Sequence, residues 1–189
     1  MVCSPRRLHA AGGMELNMVL TKEELIARLK QEVRILLHLL SKVDAAMLDY
    51  RPTPGQRSLR ELLRYLTVFV PIHLRTIQAG VFDMAAWRAA WAAGEAAAKD
   101  RSLEQIVEAI AMQPALFDEI VGAMSDGDLR TEMEMFGRPQ SRGATLVWMV
   151  LCHYSAYRMQ LFLYLKSCGR AELGTMDLWA GVDAAPPAR

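Results

Sequence analysis

The sequence is poor in cysteine and in net charge, and both absences narrow the class of protein. Its three cysteines, Cys3, Cys152 and Cys168, have no paired spacing, which argues against a disulfide framework and favours a reducing compartment. The formal net charge is only +1, because 22 basic residues oppose 21 acidic ones. No net field therefore draws the chain to nucleic acid or anionic lipid. We expect a cytoplasmic protein with no nucleic-acid partner.

The chain also lacks an uninterrupted apolar run of membrane-spanning length. The longest apolar stretch begins near Ala144 and would have to carry His153, Arg158 and Gln160 into hydrocarbon. The first residues, MVCSPRRLHAAGG, are basic but contain no apolar run, so they do not have the pattern of a secretory signal. We expect no membrane partner.

Length and composition predict a single folded unit. A chain of 189 residues that is 52% hydrophobic is long enough for one sizeable core and short for two full domains. We expect a disordered leader over residues 1–18, one domain over residues 19–180 and a flexible tail over residues 181–189.

Helix-start signals and apolar periodicity predict four long amphipathic helices. Capping boxes at Thr21, Ser58 and Ser102 open the first three, and apolar residues recur every three to four positions after each box. The predicted helices cover about residues 22–43, 59–78, 103–124 and 144–168.

The connections between these helices are long. LDYRPTPGQRS holds two prolines and a glycine and predicts a turn-rich loop. MAAWRAAWAAGEAAAK is rich in alanine, but Gly94 and a weak apolar stripe predict only a short or partial helix, and the role of residues 84–99 stays open. RTEMEMFGRPQSRG alternates polar and apolar residues, which predicts a short extended excursion. The whole pattern predicts an all-α four-helix bundle with long crossover connections.

Polar-tipped side chains follow one face of the last predicted helix. In CHYSAYRMQLFLYLKSCG, His153, Tyr157, Gln160 and Tyr164 lie at i, i+4, i+7 and i+11. Each of them could be a core residue whose polar atom bonds a neighbour or a water. Alternatively, the stripe lines a polar pocket, in which a buried histidine beside phenols could pass protons to a small ligand.

Two segments resemble a known family. LDYRPTPGQRSLRELLRYL and CHYSAYRMQLFLYLKSCG, with the helix order across residues 20–175, are similar to the DinB-like superfamily of four-helix bundles. That family is related to thiol-dependent S-transferases and to mycothiol-dependent maleylpyruvate isomerase. In its metal-containing members, one histidine of the second helix and an HxxxH pair of the last helix bind a divalent ion, usually zinc or nickel.

Carried over by this resemblance, the three ligand positions fall on Tyr65, His153 and Tyr157, so only one of them is histidine. Met159 also stands where the family has glycine. A tyrosine binds a divalent ion well only as phenolate, and its unperturbed pKa is about 10. We therefore expect no cofactor and no metal, with zinc, nickel or an iron site of one histidine and two tyrosines as the alternatives.

The resemblance places Tyr65 across the bundle from the polar stripe. It implies a pocket between the second and fourth helices, lined by Tyr65, His153, Tyr157, Gln160 and Tyr164, in which Tyr65 hydrogen-bonds His153 or Tyr157.

The remaining histidines and Cys152 are weaker candidates for site residues. His73 lies about 80° off the face of Tyr65 on its helix, and His38 lies off the apolar stripe of the first helix, so we expect both to be partly exposed. Cys152 points about 100° away from His153 and is predicted to be a core residue, with no catalytic nucleophile evident.

Three functions stay open. The first is a DinB-like protein that has lost the family's metal and binds a small molecule in its pocket, and this is the one that we favour. The second is a metal- or thiol-dependent transferase or isomerase with an altered site. The third is a non-catalytic dimeric interaction scaffold. Whether the protein is an enzyme is left open, and a homodimer is expected because similar bundles associate.

Overall fold

The computed structural model describes residues 20–183, and most of these residues are helical. The predicted leader over residues 1–18 and the last part of the predicted tail, residues 184–189, lie outside the described residues. The helices are α1 (Lys22–Leu40), α2 (Leu59–Ala79), α3 (Met84–Ala98), α4 (Leu103–Ala111), α5 (Gln113–Leu116), α6 (Asp126–Arg130), α7 (Arg142–Leu146), α8 (Cys152–Ser167) and α9 (Thr175–Trp179).

Reciprocal capping fixes where the long helices begin. The Thr21 side chain accepts the Glu24 N–H at 3.1 Å, and the Glu24 carboxylate accepts the Thr21 N–H at 2.8 Å. Ser58 and Glu61 repeat this exchange at the start of α2. Each exchange satisfies two backbone donors that have no partner within the helix. Gly80, at φ 71°, ends α2 in the left-handed region.

Four long helical stretches pack around one core. α4 and α5 continue through a π-helical turn at Phe117–Val121, and α7 continues through a π-helical turn at Val147–Leu151 into α8. α1 contacts α4 and α8, while α2 contacts α4, α7 and α8. The core includes Leu29, Leu36, Leu62, Leu66, Phe69, Ile110, Phe117, Val150 and Leu161. The all-α prediction is confirmed, and these four stretches correspond to the four predicted helices.

The alanine-rich segment is a longer helix than the sequence indicated. α3 has 15 residues and packs along α2. Gly94 explains the packing, because a Cβ built there would lie 2.6 Å from Val68 Cγ1. The glycine that weakened the helix prediction is therefore the residue that lets α3 approach α2.

A short hairpin precedes the last long stretch. β1 (Glu132–Met135) pairs antiparallel with β2 (Arg138–Ser141). The pair lies in the segment for which the sequence predicted a short extended excursion. Phe136 (φ 53°) and Gly137 (φ 73°) form the two-residue turn, and two left-handed residues match the twist of a hairpin. The Phe136 ring packs on Phe82 and Trp87, which brings the hairpin against α3. Among the helices of residues 20–183, none is long and apolar enough to cross a membrane.

Candidate functional site

A cleft of about 330 Å³ lies between α2, α3, α8 and the hairpin. A second cleft of about 590 Å³ shares a wall with it, formed by Arg57, Tyr65 and Glu95. Most of the smaller cleft is aromatic or imidazole surface. Its lining consists of Arg57, Tyr65, His73, Trp87, Trp91, Glu95, Phe136, Met149 and His153.

Phe69 packs against three residues that line the smaller cleft, Tyr65, His73 and His153. The Phe69 ring has no exposed surface, and its centroid lies 5.6 Å from that of Tyr65, 6.0 Å from that of His153 and 6.2 Å from that of Tyr157. The Tyr65 and Tyr157 rings are themselves 4.8 Å apart. The three positions that the family resemblance selected therefore gather around a single buried phenylalanine.

His73 lies in this cleft, and the expectation that it is partly exposed is wrong. Only 1% of its surface is exposed, and its ring centroid lies 5.7 Å from that of His153. The angular argument failed because it considered α2 against the bundle alone. α3 covers the neighbouring face of α2, so residues 80° from the Tyr65 direction are also buried.

Both cleft histidines are oriented by backbone carbonyls. His73 Nδ1 lies 2.7 Å from the Phe69 oxygen, and His153 Nδ1 lies 3.1 Å from the oxygen of Trp148, within the π-helical turn. A carbonyl can only accept a hydrogen bond, so Nδ1 carries the proton in each ring. In the neutral rings the lone pair is then on Nε2.

The charge state of His73 follows from its burial. Burial lowers the pKa of His73 to about 4, the hydrogen bond to Phe69 opposes this shift, and the neighbouring His153 adds to it. His73 is therefore a neutral imidazole at physiological pH. Its Nε2 atom is buried and has no hydrogen-bond partner among the described residues.

Tyr157, Gln160 and Tyr164, which the sequence placed in the same pocket, do not line either cleft. Gln160 and Tyr164 share a face with His153 but lie about 10 to 17 Å farther along the helix axis. Tyr164 donates its hydroxyl to the Arg57 carbonyl at 2.9 Å and accepts from Gln160 Nε2 at 2.7 Å. These two residues therefore anchor the backbone of Arg57, whose guanidinium lies 4.3 Å above the Tyr65 ring.

α3 contributes Trp87 and Trp91, which the sequence analysis did not assign to the site. The Trp91 ring stacks on Tyr65 at 5.3 Å, and the two indoles contact each other at 5.5 Å. Both indole Nε1 atoms are buried without a partner in the described chain. Their i, i+4 spacing in an alanine-rich helix was the available signal, since such spacing puts both rings on one face.

Comparison with known proteins identifies the fold. Neither a family model nor a curated protein matches the chain. Among solved structures, a DinB-like protein from Bacillus cereus matches with a TM-score of 0.63 and 20% identity, over 80% of this chain and 95% of that one. The DinB-like protein YjoA from Bacillus subtilis matches with a TM-score of 0.60 and 17% identity, over 79% and 94%. The chain has the DinB-like fold. At these identities the likeness concerns the fold alone.

The donor set at the family's metal positions does not fit a divalent ion in this chain. Burial raises the pKa of Tyr65, and the adjacent Tyr157 hydroxyl raises it further. Tyr65 is therefore a protonated phenol at neutral pH, which is a poor ligand for zinc or nickel. Of the three positions, only His153 offers a nitrogen lone pair.

In another part of the bundle, atoms that could bind a metal ion also lie close together. His38, Asp177 and Asp183 each place one such atom within 4.8 Å of the others. However, His38 Nε2 is 2.8 Å from Asp177 Oδ1, and the Lys42 ammonium pairs with Asp183. These contacts satisfy the group without an ion and hold α9 against α1.

Proposed function

We propose that this protein binds a small planar molecule in the aromatic cleft and uses no divalent metal at the family positions. One observation carries the proposal: three residues that line the cleft each hold a buried nitrogen atom that has no hydrogen-bond partner among residues 20–183. These are Nε2 of His73 and the Nε1 atoms of Trp87 and Trp91. Leaving such a group unpaired costs about 1 to 3 kcal/mol. A ligand that supplies the missing partners recovers that free energy on binding.

The polarity of these groups indicates the chemistry of the ligand. Indole N–H groups only donate, so they call for acceptor atoms, while the His73 lone pair calls for a donor. Tyr65 and Trp91 stack on each other at 5.3 Å, and Trp87 and Phe136 complete a largely aromatic lining that suits a flat ring. Binding sites of this kind, largely apolar with a few polar groups, are typical of small-molecule ligands.

The charges that line the larger cleft favour an acidic group on the ligand. Arg57, Arg64 and Lys99 line the larger cleft, together with Glu61 and Glu95. The Glu61 carboxylate is already bound by Arg51 at 2.9 Å and by the Ser58 N–H at 2.8 Å. Cationic groups therefore exceed the free carboxylates, and we propose a planar aromatic acid as the class of ligand.

Two matched probes test this proposal. We expect 1-naphthoate to change the tryptophan fluorescence of the protein in a saturable way, and its neutral analogue 1-naphthalenemethanol to bind more weakly. Arg57→Ala should weaken naphthoate binding about tenfold and leave binding of the alcohol unchanged, since only the anion uses the guanidinium. Arg60→Ala is the control, because Arg60 pairs with Asp49 and lines neither cleft. Equal naphthoate affinity in wild type and Arg57→Ala would refute the acid specificity.

The alternative functions stay predictions. Cys152 is exposed and lines neither cleft, so a thiol-dependent transferase or isomerase would need a thiol cosubstrate rather than this side chain.

A cytosolic location and a homodimer complete the proposal. Leu163 and Trp179, both more than half exposed, support association through α8 and α9. Sedimentation velocity at micromolar concentration tests the dimer, and a monomer there would contradict it.

A further inference from the structure

His73 and His153 form a pair of imidazoles whose free nitrogen atoms have the same chemical state. In each ring the Nδ1–H donates to a carbonyl of the preceding helical turn, which leaves a lone pair on Nε2. Histidines that ligate metals are held in this way, with the outer nitrogen bound to a carbonyl or carboxylate. The Nε2 atom of His73 is buried and unpartnered, which is the state of a ligand atom without its ion.

The separation of the two rings suits a shared ion. Two imidazoles that bind one ion at about 2 Å place their ring centroids roughly 5 to 6.4 Å apart, depending on the angle at the ion. The observed separation is 5.7 Å. Both rings line the same 330 Å³ cleft, which gives an ion a route from solvent.

A soft, neutral donor lines the cleft together with the two histidines. Met149 precedes His153 by one helical turn, lines the same cleft and is 5% exposed. Glu95 also lines this cleft. Within residues 20–183, however, the single group of three His, Cys, Asp or Glu ligand atoms that converge is the one around His38, so the Glu95 carboxylate does not form such a group with His73 and His153.

We propose that His73 and His153, with Met149 as a third ligand, bind a monovalent copper ion. Thioether and imidazole ligands suit copper(I), whereas zinc and nickel usually take further charged or imidazole ligands. Burying a single positive charge also costs less than burying two. The His73 ring is flanked by Trp91 at 5.9 Å and Trp87 at 6.3 Å, and indole surfaces favour a cation nearby.

This site shares His153 with the family positions, and it shares His73 and the cleft with the proposed aromatic acid, so we expect copper(I) and the acid to compete for the cleft. It uses His73, eight residues beyond Tyr65 on α2, and it requires neither tyrosine as a ligand. It also does not need Arg57, which carries the specificity proposed for the acid. Failure of copper binding would therefore leave the naphthoate experiment intact, and the reverse also holds.

The experiment is an anaerobic competition between the full chain and a chromophoric copper(I) chelator, bicinchoninate. A variant with Cys3, Cys152 and Cys168 replaced by serine serves as the background, because thiolates also bind copper(I). We expect it to withdraw one equivalent of copper(I) and to quench tryptophan fluorescence. His73→Ala and His153→Ala should each lower the affinity at least about a hundredfold, and Met149→Leu about tenfold. Met159→Leu is the matched control for Met149→Leu and should bind as the background does, because Met159 is exposed on α8 and lines neither cleft.

A second measurement covers the case in which a histidine variant does not fold. Nitrogen-15 NMR of the unsubstituted imidazoles should show both Nε2 resonances moving when copper(I) is added to the cysteine-free chain. The proposal is overturned if that chain takes up no copper, if either folded histidine variant binds copper as tightly as the background, or if zinc binds the same two histidines with equal affinity.

Discussion

Two junctions of the bundle hold a histidine, and they differ in whether its polar atoms have partners. At the α1–α9 junction, His38 Nε2 lies 2.8 Å from Asp177 Oδ1, while Asp177 Oδ2 accepts the Gly174 N–H at 2.8 Å. At the α2–α3 junction, His73 Nε2 has no hydrogen-bond partner in the described part of the chain. The first arrangement is complete without a ligand, whereas the second leaves binding capacity unused.

The packing around the two histidines also differs, and it is closer at the α1–α9 junction. At the α1–α9 junction, a Cβ on Gly181 would lie 2.9 Å from Ile35 Cα, so the chain there is in direct contact with the α1 backbone. At the α2–α3 junction, close contact at Gly94 gives way to the two clefts around Tyr65. Residue type and burial alone therefore do not show whether a histidine is structural or belongs to a binding site. The hydrogen-bond partners of its ring nitrogens distinguish the two cases.

The largest expected effect tests the α1–α9 junction, where His38 Nε2 has a partner. Asp177→Ala removes a carboxylate that is 2% exposed and leaves His38 and the Gly174 N–H without their acceptor. Although burial opposes it, hydrogen bonds from Gly174 and His38 hold the pKa of Asp177 below its usual value, so an anion is lost. We expect the free energy of unfolding to fall by about 3 kcal/mol, measured by urea denaturation at pH 7.

The matched control for Asp177→Ala is Asp183→Ala. Asp183 also approaches His38, but its side chain is 74% exposed, so its loss should cost less than about 1 kcal/mol. Equal effects of the two variants would contradict the structural role that we assign to the buried carboxylate.

The next largest effect is a pH dependence of the stability, which arises from His73 at the α2–α3 junction. The pKa of His73 is about 4 in the folded protein and about 6.5 in the unfolded chain, so below pH 6.5 the unfolded state binds the proton more readily. Stability is therefore fully present above pH 6.5 and falls as the pH drops toward 4. We expect a loss of about 2 kcal/mol between pH 7 and pH 5, measured in the presence of a chelator.

His73→Leu isolates this contribution. The variant loses the hydrogen bond to Phe69 but also removes an unpaired buried nitrogen, so at pH 7 its stability should differ from wild type by less than about 1 kcal/mol. Its unfolding free energy should then change less between pH 7 and pH 5 than that of wild type. Parallel pH profiles for the two proteins would show that His73 is not the titrating group.

The sequence predicted the long helices well because local signals mark them. Capping boxes at Thr21, Ser58 and Ser102 coincide with the observed helix starts, and the apolar periodicity marks the buried faces. A short extended excursion was also predicted from the alternation of residues 130–143, but its pairing into a hairpin was not. The full length of α3 was missed, because its stability comes from packing on α2 rather than from an apolar stripe of its own.

The residues that the structure gathers at the cleft were anticipated only in part, and the differences have two physical causes. Tyr65, His153 and Tyr157 meet around Phe69, which the family resemblance implied. His73 was missed because its burial depends on α3, a segment that the sequence could not place. Gln160 and Tyr164 were included because helical periodicity fixes the face of a side chain but not the height at which a neighbouring segment crosses it.

The smallest expected effect concerns the contact that sets the width of the cleft. Gly94→Ala should gain up to about 1 kcal/mol of helix propensity, but its Cβ would lie 2.6 Å from Val68 Cγ1 and force α3 away from α2. Because the overlap involves a stiff β-branched side chain, we expect a net loss of about 1 kcal/mol. The double variant with Val68→Ala should remove the overlap, so that adding Gly94→Ala to Val68→Ala becomes stabilising. If Gly94→Ala destabilises both backgrounds equally, the close approach of α3 to Val68 is not what requires glycine.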